Sequence, residues 1–174
     1  MFSTGVLWLF RLVHILSGVF WVGSVLFFAR FLFPTARALG PAAGPVFDHL
    51  TRVLKMPQTL LGAAGVSVLS GLGLYWNDSL GFTGAWLGSP TGMVFGTGGL
   101  LAILAVVIGA VVNSPTAKRL GALGAELQAR GGPPTPEQAA LMQQLQRRLG
   151  LALRLVATLL VLATAAMAVA RYVS

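Results

Sequence analysis

The sequence contains no cysteine, which removes disulfides, thiolate metal sites and thiol nucleophiles together. Acid is nearly as scarce, with four Asp and Glu among 174 residues, so a carboxylate pair for acid-base work or a Ca²⁺ cage has little to be built from. Between Asn77 and Gly92 there is no Lys or Arg at all. Charged residues of both signs make up only 9% of the chain, too few for the surface of an ordinary water-soluble domain. A nucleotide loop is also missing. Gly96, Thr97, Gly98 and Gly99 form a glycine run, but the Lys and Ser/Thr that complete a phosphate cradle do not follow, and the run reads as a glycine-rich helix entry.

What is present in quantity is apolar. The chain is 56% hydrophobic with mean hydropathy +0.82, the composition of an integral membrane protein. Four apolar segments, at about 4–29, 57–76, 93–113 and 150–171, each approach the ~20 residues needed to cross a bilayer. The first is followed by Arg30 and Phe31 to Pro34 instead of a small-residue cleavage site, so it is expected to stay in the mature protein and not be cut as a signal peptide. Connecting segments at 30–56 and 114–149 carry most of the basic residues: Arg30, Arg37, Arg52 and Lys55 in one, Lys118, Arg119, Arg130, Arg147 and Arg148 in the other. The positive-inside rule places both in the cytoplasm and both termini outside, as in a multi-pass protein of the bacterial inner membrane. The aromatic residues agree, because Trp8, Tyr75, Trp76, Trp86 and Tyr172 fall at the expected outer ends, where an interfacial belt lies. The net charge of +8 is thus assigned to a lipid surface and not to nucleic acid.

The expected fold is all-α: one polytopic membrane domain, an antiparallel bundle of four transmembrane helices with a cytoplasmic helical hairpin between helices three and four. Val46, Phe47, Leu50, Val53 and Leu54 recur at helical spacing and predict a short interfacial helix, with His49 on it as an exposed residue. Pro57 suits the first turn of the second span. In that span Ala63, Ser67 and Gly71 repeat every fourth position, which allows close helix approach. Ser114 and Pro115 are expected to end the third span and begin another helix, with Leu120, Leu123 and Leu127 as its stripe. After Gly131 to Pro134, Thr135 is an N-cap with Pro136 at the first position and Gln138 completing a capping box. Leu141, Leu145 and Leu149 carry an apolar face from there into span four.

Within the first span lie Arg11, His14 and Trp21. Ionisable groups inside a membrane are costly and mark functional candidates. Counting ~1.5 Å per residue from Trp8 puts His14 roughly 9 Å inside the outer interface. The same depth on the other spans reaches Ser70 and Gly71, Gly98 and Gly99, and Ala166 and Met167. A layer of small residues leaves room for a flat ligand, and an imidazole facing it is a suitable axial ligand for haem iron. On this reading haem b is held by His14, with Arg11 one turn away beside a propionate and Arg30 as a second candidate for propionate or ion pairing. Trp21 packs the ligand wall. Met167 is the candidate second metal ligand by depth, with Met93 or a vacant position still open. The plainer readings stand beside these. Small residues commonly serve only to let helices touch, and an intramembrane His can serve only to hydrogen-bond a neighbouring helix. Arg11 can equally snorkel to the surface.

His14, Trp21 with Gly23, Arg30, then Lys55, Met56 and Pro57, and finally Gly71 before Leu72 and Leu74 resemble the first half of the CopD/HemJ-like membrane proteins, over about residues 8–75. That group includes protoporphyrinogen IX oxidases of the HemJ type and copper-resistance proteins of the CopD type. The resemblance implies a four-helix membrane fold with a first-helix histidine associated with b-type haem, and so an oxidoreductase function. The later part departs from it: Phe31 to Pro34 follow Arg30, and span three has neither His nor Lys. The expected function is therefore haem-dependent electron transfer or a haem-dependent redox step, with a redox partner or a larger membrane complex, and self-association left open. Two other readings are kept. One is a haem-free structural or accessory subunit of such a complex; the other, ranked third, is copper handling, for which five scattered Met and no Cys are poor material.

Overall fold

A computed structural model describes residues 1–173, with the backbone alone at Pro41. The described residues are helical nearly throughout and form no strand. Helix α1 (Thr4–Phe27) passes through a wide π-turn at Phe28–Leu32 into α2 (Phe33–Leu39). A 3₁₀ turn at Gly40–Ala43, the short α3 (Gly44–Asp48) and a second π-turn at His49–Val53 lead to α4 (Met56–Asp78). The one-turn α5 (Gly84–Leu87) precedes α6 (Pro90–Ile108), which runs through a third π-turn at Gly109–Asn113 into α7 (Ser114–Arg130). The chain then forms α8 (Pro136–Val169) and ends in a 3₁₀ turn. Four continuous helical stretches, Thr4–Leu39, Met56–Asp78, Pro90–Arg130 and Pro136–Tyr172, are long and apolar enough to cross a membrane.

Two of these stretches run through prolines, one of them Pro115, where the sequence predicts a break. Pro34 and Pro115 lack the N–H that an α-helix would donate four residues back. In both cases the π-turn ends two residues earlier, and the following residue bonds five residues back instead: Phe33 N–H to the Phe28 carbonyl, and Ser114 N–H to the Gly109 carbonyl. Widening the turn in this way accommodates the extra residue without ending the helix. The region around Val46 to Leu54 is likewise helical, but in two pieces, α3 and the second π-turn.

Helix α1 packs chiefly on α4, and α6 chiefly on α8. All four long stretches meet in one apolar cluster of Trp21, Val25, Ala64, Ala105, Val156, Leu159 and Leu160. A second cluster sets Phe33 against Leu149 and Leu153, and a side chain at Gly150 would collide with the Phe33 ring at 2.9 Å. Outside these clusters large apolar residues face outward, including Leu9, Leu12, Ile15, Leu16 and Val19 along α1. So wide an apolar face has no place in water, and in a bilayer it is the lipid surface. Since lipid is as apolar as leucine, close packing and polar bonds must hold such helices together.

Helix α8 starts as its sequence demands. Thr135 Oγ1 accepts from the Gln138 N–H at 3.3 Å, and Gln138 Oε1 accepts from the Thr135 N–H at 3.1 Å, the reciprocal pair of a capping box. Leu145 and Leu149 of its stripe are buried, whereas Leu141 is exposed. Glu137 lies in this first turn, where its own backbone N–H and then the Thr135 hydroxyl hold its carboxyl below the usual carboxylate range. A carboxyl lowered on folding stabilises the cap above its unfolded pKa, and that contribution is lost as pH falls through the folded value. Amide protection factors over residues 137–139 are therefore expected to drop as pH falls below the usual glutamate range. Glu137→Gln should flatten the dependence; an unchanged acid response in that variant would assign it to another group.

Candidate functional site

The seam between α1 and α4 is built on small residues. Gly18 approaches the Ser67 side chain, Gly71 approaches the ring of His14, and Gly73 lies under the ring of Phe10. These glycines repeat nothing by themselves, but each removes the Cβ that would hold the two helices apart. At Gly71 an added Cβ would stand 2.8 Å from His14 Cε1 and 3.1 Å from Nδ1, so the imidazole lies directly on the α4 backbone.

That contact fixes the chemistry of the ring. His14 Nδ1 is 2.7 Å from the Ser67 carbonyl oxygen. A carbonyl only accepts, so Nδ1 carries the proton and donates, and in the neutral ring Nε2 is left with a lone pair. This is the arrangement by which metal-bound histidines are held, one ring nitrogen donating to a carbonyl and the other free to ligate. Ser17 is on the next turn, with its hydroxyl donating to the carbonyls of Val13 and, at 3.3 Å, His14. Ser70 Oγ donates to the carbonyls of Val66 and Ser67. The polar groups beside the imidazole thus satisfy the backbone locally and leave Nε2 alone.

The residues picked out from the sequence are distributed as follows. His14 and Arg11 are both half-buried on the N-terminal half of α1. Gly71 and Ser70 belong to the His14 neighbourhood. Gly98 and Met167 form a separate contact in the α6–α8 seam, where a Cβ on Gly98 would meet Met167 Cγ at 3.1 Å and the Ala163 carbonyl at 3.2 Å. Trp21 is 6% exposed and belongs to the four-helix apolar cluster, so its observed role is packing. Arg30 is exposed in the first π-turn with its guanidinium carbon 5.7 Å from the Phe31 ring centroid. Sixteen residues along a helix separate it from His14 by roughly 24 Å, which removes it from any site built around that histidine. His49 is exposed.

Haem can be tested against this donor set. Its first requirement, an imidazole nitrogen with a free lone pair and a fixed ring, is met by His14. The N-terminal part of α1, from Thr4 to Phe20, has no fully buried residue, and the buried positions opposite are Ser67, Ser70, Gly98 and Ala163. The seams themselves hold no slot, however, since the space released at Gly71 and Gly98 is taken by His14 on one side and by α8 on the other. The sequence reading of these glycines as open room is corrected to that extent. Neither the cleft between Phe20 and Leu60 nor the one between Arg119 and Leu145 is lined by His14. Among the described residues no group of three or more His, Cys, Asp or Glu is placed to hold a metal ion.

Two participants escape a reading of the sequence. The acceptor for His14 is a main-chain oxygen, and a carbonyl leaves no mark in residue identity; only the Ala63, Ser67, Gly71 repeat points to that face. Arg154 stands within the apolar run of α8, and its side chain is exposed. Its signal is plain, a lone cation four residues inside an apolar segment, and snorkelling accounts for it.

Gly71→Val is expected to push the imidazole off the Ser67 carbonyl without touching the histidine itself. Loss of the downfield Nδ1–H proton resonance of His14 in the variant would register this, and its persistence would show that α4 yields instead.

Fold and site together define an all-helical chain with four helices able to cross a membrane and one tautomer-fixed histidine in the first of them. No family model matches the sequence, and no curated protein or solved structure matches it either.

Proposed function

We propose that this chain is a multi-pass protein of the bacterial inner membrane, an antiparallel four-helix bundle that binds haem b through His14 Nε2 and serves electron transfer or a haem-dependent redox step. The observation that carries this reading is the 2.7 Å bond from His14 Nδ1 to the Ser67 carbonyl, which prepares the opposite nitrogen as a ligand. The similarity of residues 8–75 to the CopD/HemJ-like proteins supports the same assignment. Arg11, half-buried one turn from His14, would offset the charge of a propionate. Met167 is the candidate for the sixth position, and its packing on Gly98 fixes its depth. When bound, haem would supply a one-electron couple tuned by the axial ligands and by burial. The chain's own part is to hold the imidazole in one tautomer and to exclude water with the surrounding apolar helices.

In this reading the basic segments 30–56 and 114–149 face the cytoplasm, α7 and the start of α8 form a cytoplasmic hairpin, and both termini are outside. A reduced-minus-oxidised visible spectrum of the detergent-purified protein tests the cofactor directly. Sharp b-type bands are expected. A flat spectrum after haem supplementation during expression would overturn the haem assignment.

The second reading is a haem-free accessory subunit of a membrane complex. It is favoured by the closed seams at Gly71 and Gly98, which use small residues for helix contact. It predicts a colourless protein that copurifies with a larger assembly.

A further inference from the structure

Toward the basic end of the α1–α4 pair the two helices part. The glycine-mediated approach at His14 and Gly71 gives way to a cleft of about 300 Å³, at the lower end of the range for ligand pockets. Its walls are apolar, with Phe20 and Phe27 from α1, Leu50 from the second π-turn, Leu54 directly after it, and Leu60 from α4; Ser24 and Thr59 are its only hydroxyls. The Thr59 hydroxyl is already used, donating to the Lys55 carbonyl at 3.3 Å.

Lys55 lies in the chain between Leu54 and Met56, both of which line this cleft. Its backbone is left-handed, with φ +48°, a conformation a lysine rarely adopts. It is held there because its carbonyl opens α4, accepting from the N–H groups of Gln58 and Thr59, both at 3.0 Å. The neighbouring cation is already neutralised: Arg52 Nε is 2.6 Å from Asp48 Oδ1. Lys55 makes no ion pair among the described residues and is exposed. An apolar cleft whose lining residues Leu54 and Met56 flank an exposed, unpaired cation, at the end of a membrane-spanning helix, matches one chemistry: an acyl chain joined to an anionic headgroup.

We infer that this cleft is a binding site for an anionic phospholipid, with an acyl chain between Phe20, Phe27, Leu54 and Leu60 and the phosphate against Lys55. The inference depends on the membrane placement of the chain and not on haem. The two fail separately, since lipid retention and visible absorbance are independent readouts.

Native mass spectrometry of the full-length protein, released from detergent micelles in the presence of phosphatidylglycerol and phosphatidylcholine of the same acyl composition, tests it. Wild-type protein is expected to retain one phosphatidylglycerol in preference to phosphatidylcholine. Lys55→Gln should reduce that preference about fivefold, the factor that one juxtamembrane cation is worth. Ser24→Phe, which fills the cleft, should reduce retention of both lipids. Lys118→Gln, in the other basic segment, should change neither. Equal retention of the two lipids by wild-type protein overturns the site, and so does a loss in Lys118→Gln as large as that in Lys55→Gln, which would mean diffuse surface charge. Retention of an uncharged isoprenoid quinone in place of phosphatidylglycerol also overturns it. Because Lys55 is exposed, its variant is expected to keep the helical circular dichroism of the wild type, and the charge arm of the test stands even where Ser24→Phe fails to fold.

Discussion

His14→Ala is expected, under the proposed haem assignment, to abolish b-type absorbance while leaving expression and helical content nearly unchanged. The asymmetry follows from what the residue contributes. Its ring is only half-buried and makes one hydrogen bond, to the Ser67 carbonyl, and a typical bond of that kind is worth about 1 kcal/mol net. Ser67 O also accepts from Ser70 Oγ, so removal of the imidazole does not leave the carbonyl without a partner. The fold can bear that loss. A haem b cannot, because coordination of its iron by an imidazole would be its bond to the protein. Haem content per protein, measured by pyridine haemochrome, decides the matter: unchanged content in His14→Ala excludes this residue as the essential ligand. Met167→Leu provides the complementary experiment, since a volume-conserving change on Gly98 should leave stability intact and shift the spectrum only where the thioether ligates.

Trp21→Ala is expected to be the most destabilising single substitution, by about 3–5 kcal/mol on the scale of large-to-small core changes. Trp21 belongs to the cluster in which Val25, Ala64, Ala105, Val156, Leu159 and Leu160 come together from all four long helices. Leu160 is 1% and Ala105 1% exposed, so the hole left by the indole is enclosed and cannot be filled by a small shift of one helix. In a bilayer the loss is one of dispersion contacts more than of hydrophobic transfer, because lipid tails solvate an apolar side chain well. Unfolding in mixed micelles with increasing SDS measures it. A destabilisation under about 1 kcal/mol, within the range of volume-conserving swaps, would show that the helices close around the gap.

These two residues also mark how far the sequence could be read. Four apolar segments and the absence of strands follow from composition and period alone, and the capping box at Thr135 and Gln138 is readable because its chemistry is local. Trp21 and His14 are seven residues apart on one helix, near enough to share a face, but the sequence alone does not say whether that face meets other helices or lipid. Nor can it say which neighbour each residue meets. That depends on helix pairing, and pairing here makes Trp21 part of the apolar cluster and His14 part of a two-helix seam. The glycines show the same limit. A missing side chain is equally consistent with a void and with a contact, and only the approach of Gly71 to the imidazole and of Gly98 to Ala163 and Met167 distinguishes them. Pro115 misleads for a related reason: a proline specifies that a hydrogen bond is lost, but not that the helix must stop.

The wide turns before Pro34 and Pro115 have a further effect, on phase. Each residue of an α-helix advances about 100° around the axis, so the extra residue accommodated at Phe28–Leu32 re-indexes every side chain beyond it relative to those before. Helix α1 thereby shows one face to α4 through His14 and Gly18, while the same rod, beyond the wide turn, aims Phe33 at Leu149 and Leu153 of α8. One unbroken helix serves two neighbours. Deleting a single residue from Phe28–Leu32 would leave its composition and length almost untouched, yet rotate the whole α2 segment by about 100° and carry Phe33 off its seat on α8.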